Sequence, residues 1–359
     1  MINNTQRIKI LVELMHGIGD TVCAIPMLKV LRDNYPEAEI VVLTKSDAGK
    51  DIIAASHINI DKVYVFDIYK NLGHSINFLL KLRKYRFDYG ISSCITPVKK
   101  AKMFMEFINP KKWIGLQKKG LFFDLLEDKY HFVEANLLSI QEICKIPSEK
   151  IYPTIFVQND VKDKIQKMIF TYLPDEYKSK KIVGICIGSG DYSLKNRYLR
   201  IGKVYPKGWG IGNIVELIRY LKNRNLVVCL LGGKLEETLL NFIQAEVPIE
   251  GNLVNFVGKT TMKESIALTA LCECVIGVDT GMQHVAAAVG TPTISIFGPT
   301  NPKRCGGYAE NAQFVECECS CKYCYGTNPY IECKERICLQ QIKVQTVVNY
   351  INSVLEGKM

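Results

Sequence analysis

Residues 275–300 read VIGVDTGMQHVAAAVGTPTISIFGPT and decide the fold expected for this chain. The stretch predicts an apolar strand ending at Asp279, a helix of small residues beginning at Thr280 and Gly281, and a second apolar strand. It brings a carboxylate, a hydroxyl, a backbone amide and the imidazole of His284 to one helix N-terminus. Such helix ends attract anions, and ligands of α/β sheets bind at the carboxyl ends of strands. The segment therefore predicts a site for a nucleotide diphosphate.

Strand-like and helix-like patterns alternate along both halves of the 359-residue chain. The alternation predicts the α/β class with two Rossmann-like, doubly wound parallel-sheet domains facing a cleft, and a C-terminal cysteine-rich loop. An amphipathic helix is expected from Thr21 to Tyr35. The expected divisions are an N-terminal domain at 1–165, a C-terminal domain at 175–340 and a helix within 341–359 that packs back on the N-terminal domain. The predicted strands lie within 8–14, 38–45, 62–67, 87–93, 111–116, 181–190, 226–233, 253–259, 274–279, 292–298 and 312–317.

The composition, 48% hydrophobic and 23% charged, is typical of a globular protein in water. No apolar run is long enough for a membrane-spanning helix. The N-terminus enters a strand directly and lacks the pattern of a secretory signal. We therefore expect a cytoplasmic protein.

Positive charge is concentrated between Lys81 and Lys119. This stretch contains eleven basic and two acidic residues and so carries +9 of the chain's net +10. Such a region suits an anionic partner, which could be a phosphorylated acceptor, an anionic membrane surface or nucleic acid. It equally suits an ordinary solvated surface. Because no aromatic residues alternate with basic ones on a strand, a nucleic-acid partner is not expected.

A glycine loop follows the first predicted strand, with the sequence Gly17-Ile18-Gly19-Asp20. Dinucleotide-binding proteins carry GxGxxG here, but Val22 holds the place of the third glycine and no acid ends the second strand. NAD binding is therefore not expected. Asp20 either caps the following helix or serves as a carboxylate that accepts a proton at the strand end.

Four segments together resemble glycosyltransferase family 9, the ADP-heptose heptosyltransferases of lipopolysaccharide synthesis and their relatives. The opening stretch 8–43 is similar to the start of that family, and 278–302 to its donor-site motif. Between them, the run 203–206 (Lys-Val-Tyr-Pro) resembles a Lys-x-Trp-Pro element, and 230–237 (LLGGKLEE) resembles a glycine turn followed by an acid. The resemblance covers nearly the whole chain.

The resemblance implies a GT-B enzyme that binds the acceptor on its first domain and the nucleotide sugar on its second. It implies inversion at the anomeric carbon without a catalytic metal, so that amides and cations must neutralise the leaving diphosphate. Asp20, in the loop with Gly17 and Gly19, matches the candidate base. The implied donor-binding residues are Ser189, Lys203, Glu236 (or Glu237), Asp279, Thr280, Gly281 and His284. Each also has an ordinary structural reading, as a helix cap, a core residue or a surface lysine.

Six of the 14 cysteines fall between Cys317 and Cys338. In a reducing compartment this density favours a metal over disulfides. A structural Zn or Fe site is expected, with Cys317 and Cys319 as substitutes or free thiols. The predicted ligands are Cys321, Cys324, Cys333 and Cys338. Family members often carry cysteines here, and those that modify autotransporter proteins are known for an iron-bearing cysteine finger. Cysteines at 23, 94, 144, 186 and 229 lie in apolar runs and are expected in the core.

The sequence thus predicts an inverting glycosyltransferase that moves a heptose from ADP-heptose to a lipopolysaccharide core or another cell-surface glycan. One alternative is a heptosyltransferase acting on autotransporter proteins. The other is a non-catalytic nucleotide-sugar-binding protein. In the first reading, the basic region draws the enzyme to an anionic acceptor at the inner face of the cytoplasmic membrane.

Overall fold

The computed structural model describes residues 7–66, 72–116, 129–189, 207–325, 333 and 335–357. Two compact units divide the chain, the first ending at Ile155 and the second beginning at Phe156. No helix in these described ranges is both long and apolar enough to cross a membrane.

A five-stranded parallel sheet forms the centre of the first unit, in the order β3-β2-β1-β4-β5. Its strands are β1 (Lys9–Leu14), β2 (Glu39–Thr44), β3 (Lys62–Val65), β4 (Tyr89–Ser92) and β5 (Lys112–Ile114). The order reverses between β1 and β4, so the connections that leave these neighbours run in opposite directions. Ligands of such sheets bind outside the carboxyl ends at this point.

Helices connect the strands of the first unit, and one more follows β5. They are α1 (Ile18–Asn34), α2 (Asp47–Ala55), α3 (Leu72–Lys84), α4 (Val98–Ile108) and α5 (Phe132–Ser139). The helix predicted from Thr21 to Tyr35 begins three residues earlier, because Asp20 and Gly17 form a capping contact that starts the helix at Ile18. All residues from Thr21 to Leu28 are buried, so this part of α1 is a core helix and not the amphipathic one expected.

A six-stranded parallel sheet forms the centre of the second unit, in the order β11-β10-β9-β6-β7-β8. Its strands are β6 (Ile182–Cys186), β7 (Val227–Leu231), β8 (Leu253–Asn255), β9 (Cys274–Val278), β10 (Thr293–Ile296) and β11 (Ala312–Val315). Counted from β6, this is the 3-2-1-4-5-6 order of a Rossmann fold, with its reversal between β6 and β9. All eleven strand segments predicted from the sequence contain a strand, which confirms the α/β prediction.

Helices cover both faces of the second sheet. They are α6 (Asn159–Tyr172), α7 (Ile211–Asn223), α8 (Glu237–Glu246), α9 (Met262–Thr269), α10 (Gly281–Ala288), α11 (Pro302–Cys305), α12 (Ile337–Gln340) and α13 (Val344–Leu355). One apolar core joins the sheet to α7, α8 and α13, and the other joins it to α6, α9 and α10.

The C-terminal helix α13 lies in the core of the second unit. Val347, Val348 and Ile351 are buried there, and Trp209 Nε1 donates to the Ile342 carbonyl at 2.9 Å. The sequence predicts that this helix packs back on the N-terminal domain. Its buried face completes the apolar face of the second sheet, because its valines align on one side of the helix, and packing on the N-terminal domain stays a prediction.

Candidate functional site

The carboxyl ends of β6 and β9 bring two predicted site residues to one edge of the second sheet. Ser189 follows β6, and Asp279 follows β9 directly. The two strands are hydrogen-bonded neighbours, and the strand order reverses between them. This edge is therefore the expected ligand position of the second unit.

The helix α10 begins at this edge and matches the predicted anion site. Thr280 is its N-cap in an extended conformation, and the Thr280 side chain makes no capping hydrogen bond. Gly281 is the first helical residue, and His284, in the first turn, is 8% exposed. Because the amides of a first turn have no partner within the helix, this end can donate to an oxyanion.

The Asp279 carboxylate forms an ion pair with Lys207. Lys207 Nζ lies 2.7 Å from Asp279 Oδ2, and the side chains are 24% and 11% exposed. The ammonium also lies 4.8 Å from the centre of the Tyr325 ring. Burial alone would lower the pKa of Lys207, but the nearby Asp279 carboxylate outweighs it and raises the pKa above its ordinary value. Asp279 thus holds a cation beside the start of α10 instead of capping the helix.

Lys207 is a site residue that the sequence analysis missed. The predicted lysine is Lys203, which lies outside the described residues together with the rest of the Lys-Val-Tyr-Pro element. The signal for Lys207 was a second lysine directly after that element. Its partner lies 72 residues away in the sequence, so no local pattern could reveal the pair.

The predicted ribose-binding acid, Glu236, lies just beyond the end of β7 and is 7% exposed. Its Oε2 accepts a hydrogen bond from the Gly233 amide at 2.8 Å, which closes a short helical turn over residues 234–236. Glu237 is exposed, and its carboxylate lies against Gly258. The buried Glu236 is therefore the acid that faces the glycine turn.

In the first unit, Asp20 lies in the first turn of α1, where its Oδ2 accepts the Gly17 amide at 3.0 Å. Gly17 is the N-cap, and Gly19 already belongs to the helix. Asp20 therefore caps the helix through one of its two carboxylate oxygens, Oδ2.

A second polar group of the first unit, at the carboxyl end of β1, was not predicted. Glu13 lies near the carboxyl end of β1 and is 1% exposed. Its Oε2 accepts the Thr96 hydroxyl at 2.5 Å, and Thr96 Oγ1 lies 2.6 Å from His16 Nε2. The only sequence signal was an acid within the apolar run IKILVEL, since Thr96 is 83 residues away.

The structure does not bring the four predicted metal ligands into a metal site. In the part of the chain that the structure describes, no three His, Cys, Asp or Glu side chains are arranged to bind one ion. Cys338 is 3% exposed and belongs to the apolar core, while the Cys321 sulfur lies 3.8 Å from that of Cys319. The Cys333 sulfur accepts the Arg336 amide at 3.4 Å. Cys338 thus packs in the apolar core, and Cys321 contacts a neighbouring thiol.

The thiols nevertheless lie near enough to affect one another. Burial, followed by the charges of the neighbouring thiols, raises the pKa of Cys338 to about 12. Burial also raises the pKa of Cys324, and the positive charge of the fully buried Arg336 partly opposes that rise. The zinc or iron site therefore stays a prediction from the spacing of the cysteines.

The five scattered cysteines at 23, 94, 144, 186 and 229 are all buried, which confirms that prediction. Burial raises the pKa of Cys186 and of Cys229 to about 12. Since the thiolate is the nucleophile, these two are core residues without the properties of a reactive thiol.

Comparison with known proteins establishes the family. The profile of glycosyltransferase family 9 (heptosyltransferase) matches residues 81–334. The chain belongs to this family. As a family 9 protein it is a glycosyltransferase, which excludes the non-catalytic alternative.

The full-length relatives of this family 9 enzyme are distant. Lipopolysaccharide heptosyltransferase 2 of Salmonella typhimurium is 24% identical over 310 residues, which cover 82% of this chain and 84% of that protein. The structure of Escherichia coli ADP-heptose LPS heptosyltransferase II matches with a TM-score of 0.74, 20% identity and coverage of 98% and 99%. A family 9 glycosyltransferase from Veillonella parvula matches with a TM-score of 0.77, 18% identity and 97% of both chains. These likenesses confirm the GT-B fold.

The Lys207–Asp279 pair should couple measurably in a double-mutant cycle. We expect Lys207→Met and Asp279→Asn to show a coupling free energy of about 1–3 kcal/mol in chemical unfolding without ligand, because each leaves the other group partly buried. The raised pKa of Lys207 means that its stabilisation is complete below the ordinary pKa of 10.5 and is lost as the pH rises above it.

The control for this cycle is the pair of Lys178 and Asp175, whose carboxylate side chain is 94% exposed. We expect no measurable coupling there, since water screens exposed pairs. Equal coupling in both pairs would contradict a special role for Lys207.

The cysteine spacing predicts about one Zn or Fe per purified chain, measured by elemental analysis. Cys324→Ser should remove most of that metal, whereas Cys229→Ser, in the core of the second sheet, should retain it. Less than about 0.3 metal per wild-type chain would contradict the metal site.

Proposed function

We propose that this family 9 enzyme transfers a heptose from ADP-heptose to a lipopolysaccharide core or another cell-surface glycan. The observation that carries the proposal is the edge of the second sheet, where the open first turn of α10 lies beside the Lys207–Asp279 pair. Such an arrangement suits a diphosphate linked to a polyhydroxylated sugar. The names of the full-length relatives support heptose as that sugar.

The donor diphosphate is proposed to bind at the start of α10. The Gly281 amide and the Thr280 hydroxyl donate to its oxygens, with Ser189, Lys203 and His284 as further donors. Lys207 adds a cation that is already held at this edge by Asp279. Preorganised donors of this kind stabilise the charge that develops as the nucleoside diphosphate departs. Glu236 is proposed to bind the nucleoside ribose.

Asp20 is proposed as the base. It takes the proton of the attacking acceptor hydroxyl, whose oxygen forms a bond to the anomeric carbon as the bond to the diphosphate breaks. The Gly17 amide engages Oδ2 and fixes the carboxylate, so Oδ1 is the oxygen assigned to the proton. A positioned carboxylate contributes about 10²–10⁴-fold to such a step.

Transfer is tested with ADP-heptose and truncated lipopolysaccharide from a heptosyltransferase-deficient bacterium, with release of ADP as the readout. We expect the wild type to release ADP only with the acceptor present. Asp20→Asn should lower kcat at least about 100-fold while leaving ADP binding unchanged. Asp33→Asn, on the exposed end of the same helix, should stay within about twofold of the wild type.

Full activity in Asp20→Asn would show that another residue is the base. A wild type that turns over no ADP-heptose with this acceptor would contradict the proposed reaction. Melting curves with ADP-, GDP- and UDP-sugars would then identify the nucleotide, because a true donor raises Tm by mass action. An autotransporter acceptor that reacts where lipopolysaccharide does not would favour the protein heptosyltransferase.

We also propose that α3 and α4 dock the enzyme on the anionic inner face of the cytoplasmic membrane. Ile76 and Leu80 on α3, and Met103 and Phe107 on α4, are 48%, 43%, 67% and 36% exposed. Arg83 links the two helices, because it donates to the Phe107 carbonyl and lies over the Phe107 ring. The exposed apolar side chains of both helices therefore belong to one surface.

Basic residues surround these four apolar side chains. They are Lys81, Arg83, Lys84, Lys99, Lys100 and Lys102, all exposed, and the two helices carry one acid, Glu106. Amphipathic basic helices of this kind lie in the interface of anionic bilayers. Each basic residue near such a surface contributes about 1 kcal/mol, which is screened by salt.

Sedimentation with vesicles tests this surface. We expect the wild type to bind phosphatidylcholine vesicles containing phosphatidylglycerol and not pure phosphatidylcholine. Met103→Ser with Phe107→Ser should weaken binding at least about tenfold, because the buried apolar area is lost. Phe242→Ser, at a 50% exposed side chain of the second unit, is the matched control and should bind normally. Equal losses in both variants would contradict the assignment.

A further inference from the structure

A buried carboxylate lies at the carboxyl end of the first strand, outside the groups already assigned a role. Glu13 is 1% exposed within an otherwise apolar strand. A charge in such a place is tolerated only when it is hydrogen-bonded. The Met15 amide donates to Oε1 at 3.0 Å, and the Thr96 hydroxyl donates to Oε2 at 2.5 Å.

The hydrogen bond to Glu13 fixes the direction of the next one. A threonine hydroxyl has one proton, and Thr96 uses it to donate a hydrogen bond to the Glu13 carboxylate. Thr96 Oγ1 can then only accept from His16 Nε2, at 2.6 Å. The proton of a neutral imidazole is thereby held on Nε2, and Nδ1 is left with a lone pair. Among the described residues, Nδ1 has no hydrogen-bond partner.

The hydrogen-bonded side chains of Glu13, Thr96 and His16 extend from the core to the surface. The side chain of Glu13 is 2% exposed and that of His16 is 18% exposed. His16 follows β1, and Thr96 lies in the loop after β4, so the imidazole lies where the strand order of the first sheet reverses. His16 also precedes Asp20, in the first turn of α1, by four residues.

We propose that His16 binds a hydroxyl of the sugar acceptor through Nδ1, and that Thr96 and Glu13 are positioning residues that hold its ring. The inference rests on the proposed glycosyl transfer and adds a second acceptor-side contact to it. Asp20 receives the proton of the attacking hydroxyl, and His16 accepts a hydrogen bond from a neighbouring hydroxyl of the same sugar. Two acceptors four residues apart suit a vicinal diol and explain why hydrogen-bonded polar side chains extend from the core to this edge.

A purely structural role of these three side chains would not need the His16 ring. Fastening the loop after β4 to β1 needs only the contact between Thr96 and Glu13, since His16 lies 3.6 Å from the carboxylate. A glutamine at position 16 carries an amide that can still donate to Thr96 but lacks the ring Nδ1. His16→Gln therefore separates the two roles.

The test measures transfer to the truncated lipopolysaccharide described above. We expect His16→Gln to raise KM for this acceptor roughly tenfold, the loss of one hydrogen bond, with Tm and ADP binding unchanged. Thr96→Val should raise the same KM, and Thr96→Ser, which keeps the hydroxyl, should restore it. A structural role alone would change Tm and leave the acceptor KM as it is.

Nitrogen NMR of histidine-labelled protein gives a second readout without substrate. The wild type should show His16 protonated at Nε2 with a lone pair on Nδ1, and Thr96→Val should lose this preference. A wild-type acceptor KM in His16→Gln overturns the role of His16 while the transfer reaction stands. Failure of the wild type to transfer overturns the reaction and this inference with it, whatever the NMR shows of the ring.

Discussion

The reversal of strand order beside the first strand of each sheet is the constraint on which the rest of the structure depends. Strands paired on both sides and covered on both faces must be apolar inside, so polar side chains gather just beyond their carboxyl ends. Where connections diverge, those side chains remain accessible. His16 and Asp20 follow the central strand β1 of the first unit, and Ser189 and Asp279 follow β6 and β9 of the second.

The two edges treat negative charge in opposite ways. Asp279 pairs with the Lys207 ammonium, which is 24% exposed and accessible to a second anion. Glu13 is instead enclosed and satisfied by a hydroxyl and a backbone amide. The first arrangement suits an exchange of partners on phosphate binding, as proposed for the donor site. The second is fixed before any ligand binds, which suits a site that must orient neutral hydroxyls.

Periodicity and order of motifs were enough to predict the fold, because most of the parallel strands are short apolar runs and several helices begin at a glycine or a capping residue. The α10 start was predictable for the same reason, since Asp279, Thr280 and Gly281 are adjacent in the sequence. Lys207 and Thr96 were not, because each meets a partner more than 70 residues away. The cysteine spacing predicted a metal, but spacing does not record that Cys338 packs in the core.

Both ends of the cysteine segment are anchored in one apolar core, at Cys317 and at Cys338 with Leu339. The same core therefore holds both ends of this segment. Doubling such a loop costs only about 0.6 kcal/mol of closure entropy. Insertions and deletions within it should thus be among the least costly changes of length in the second unit.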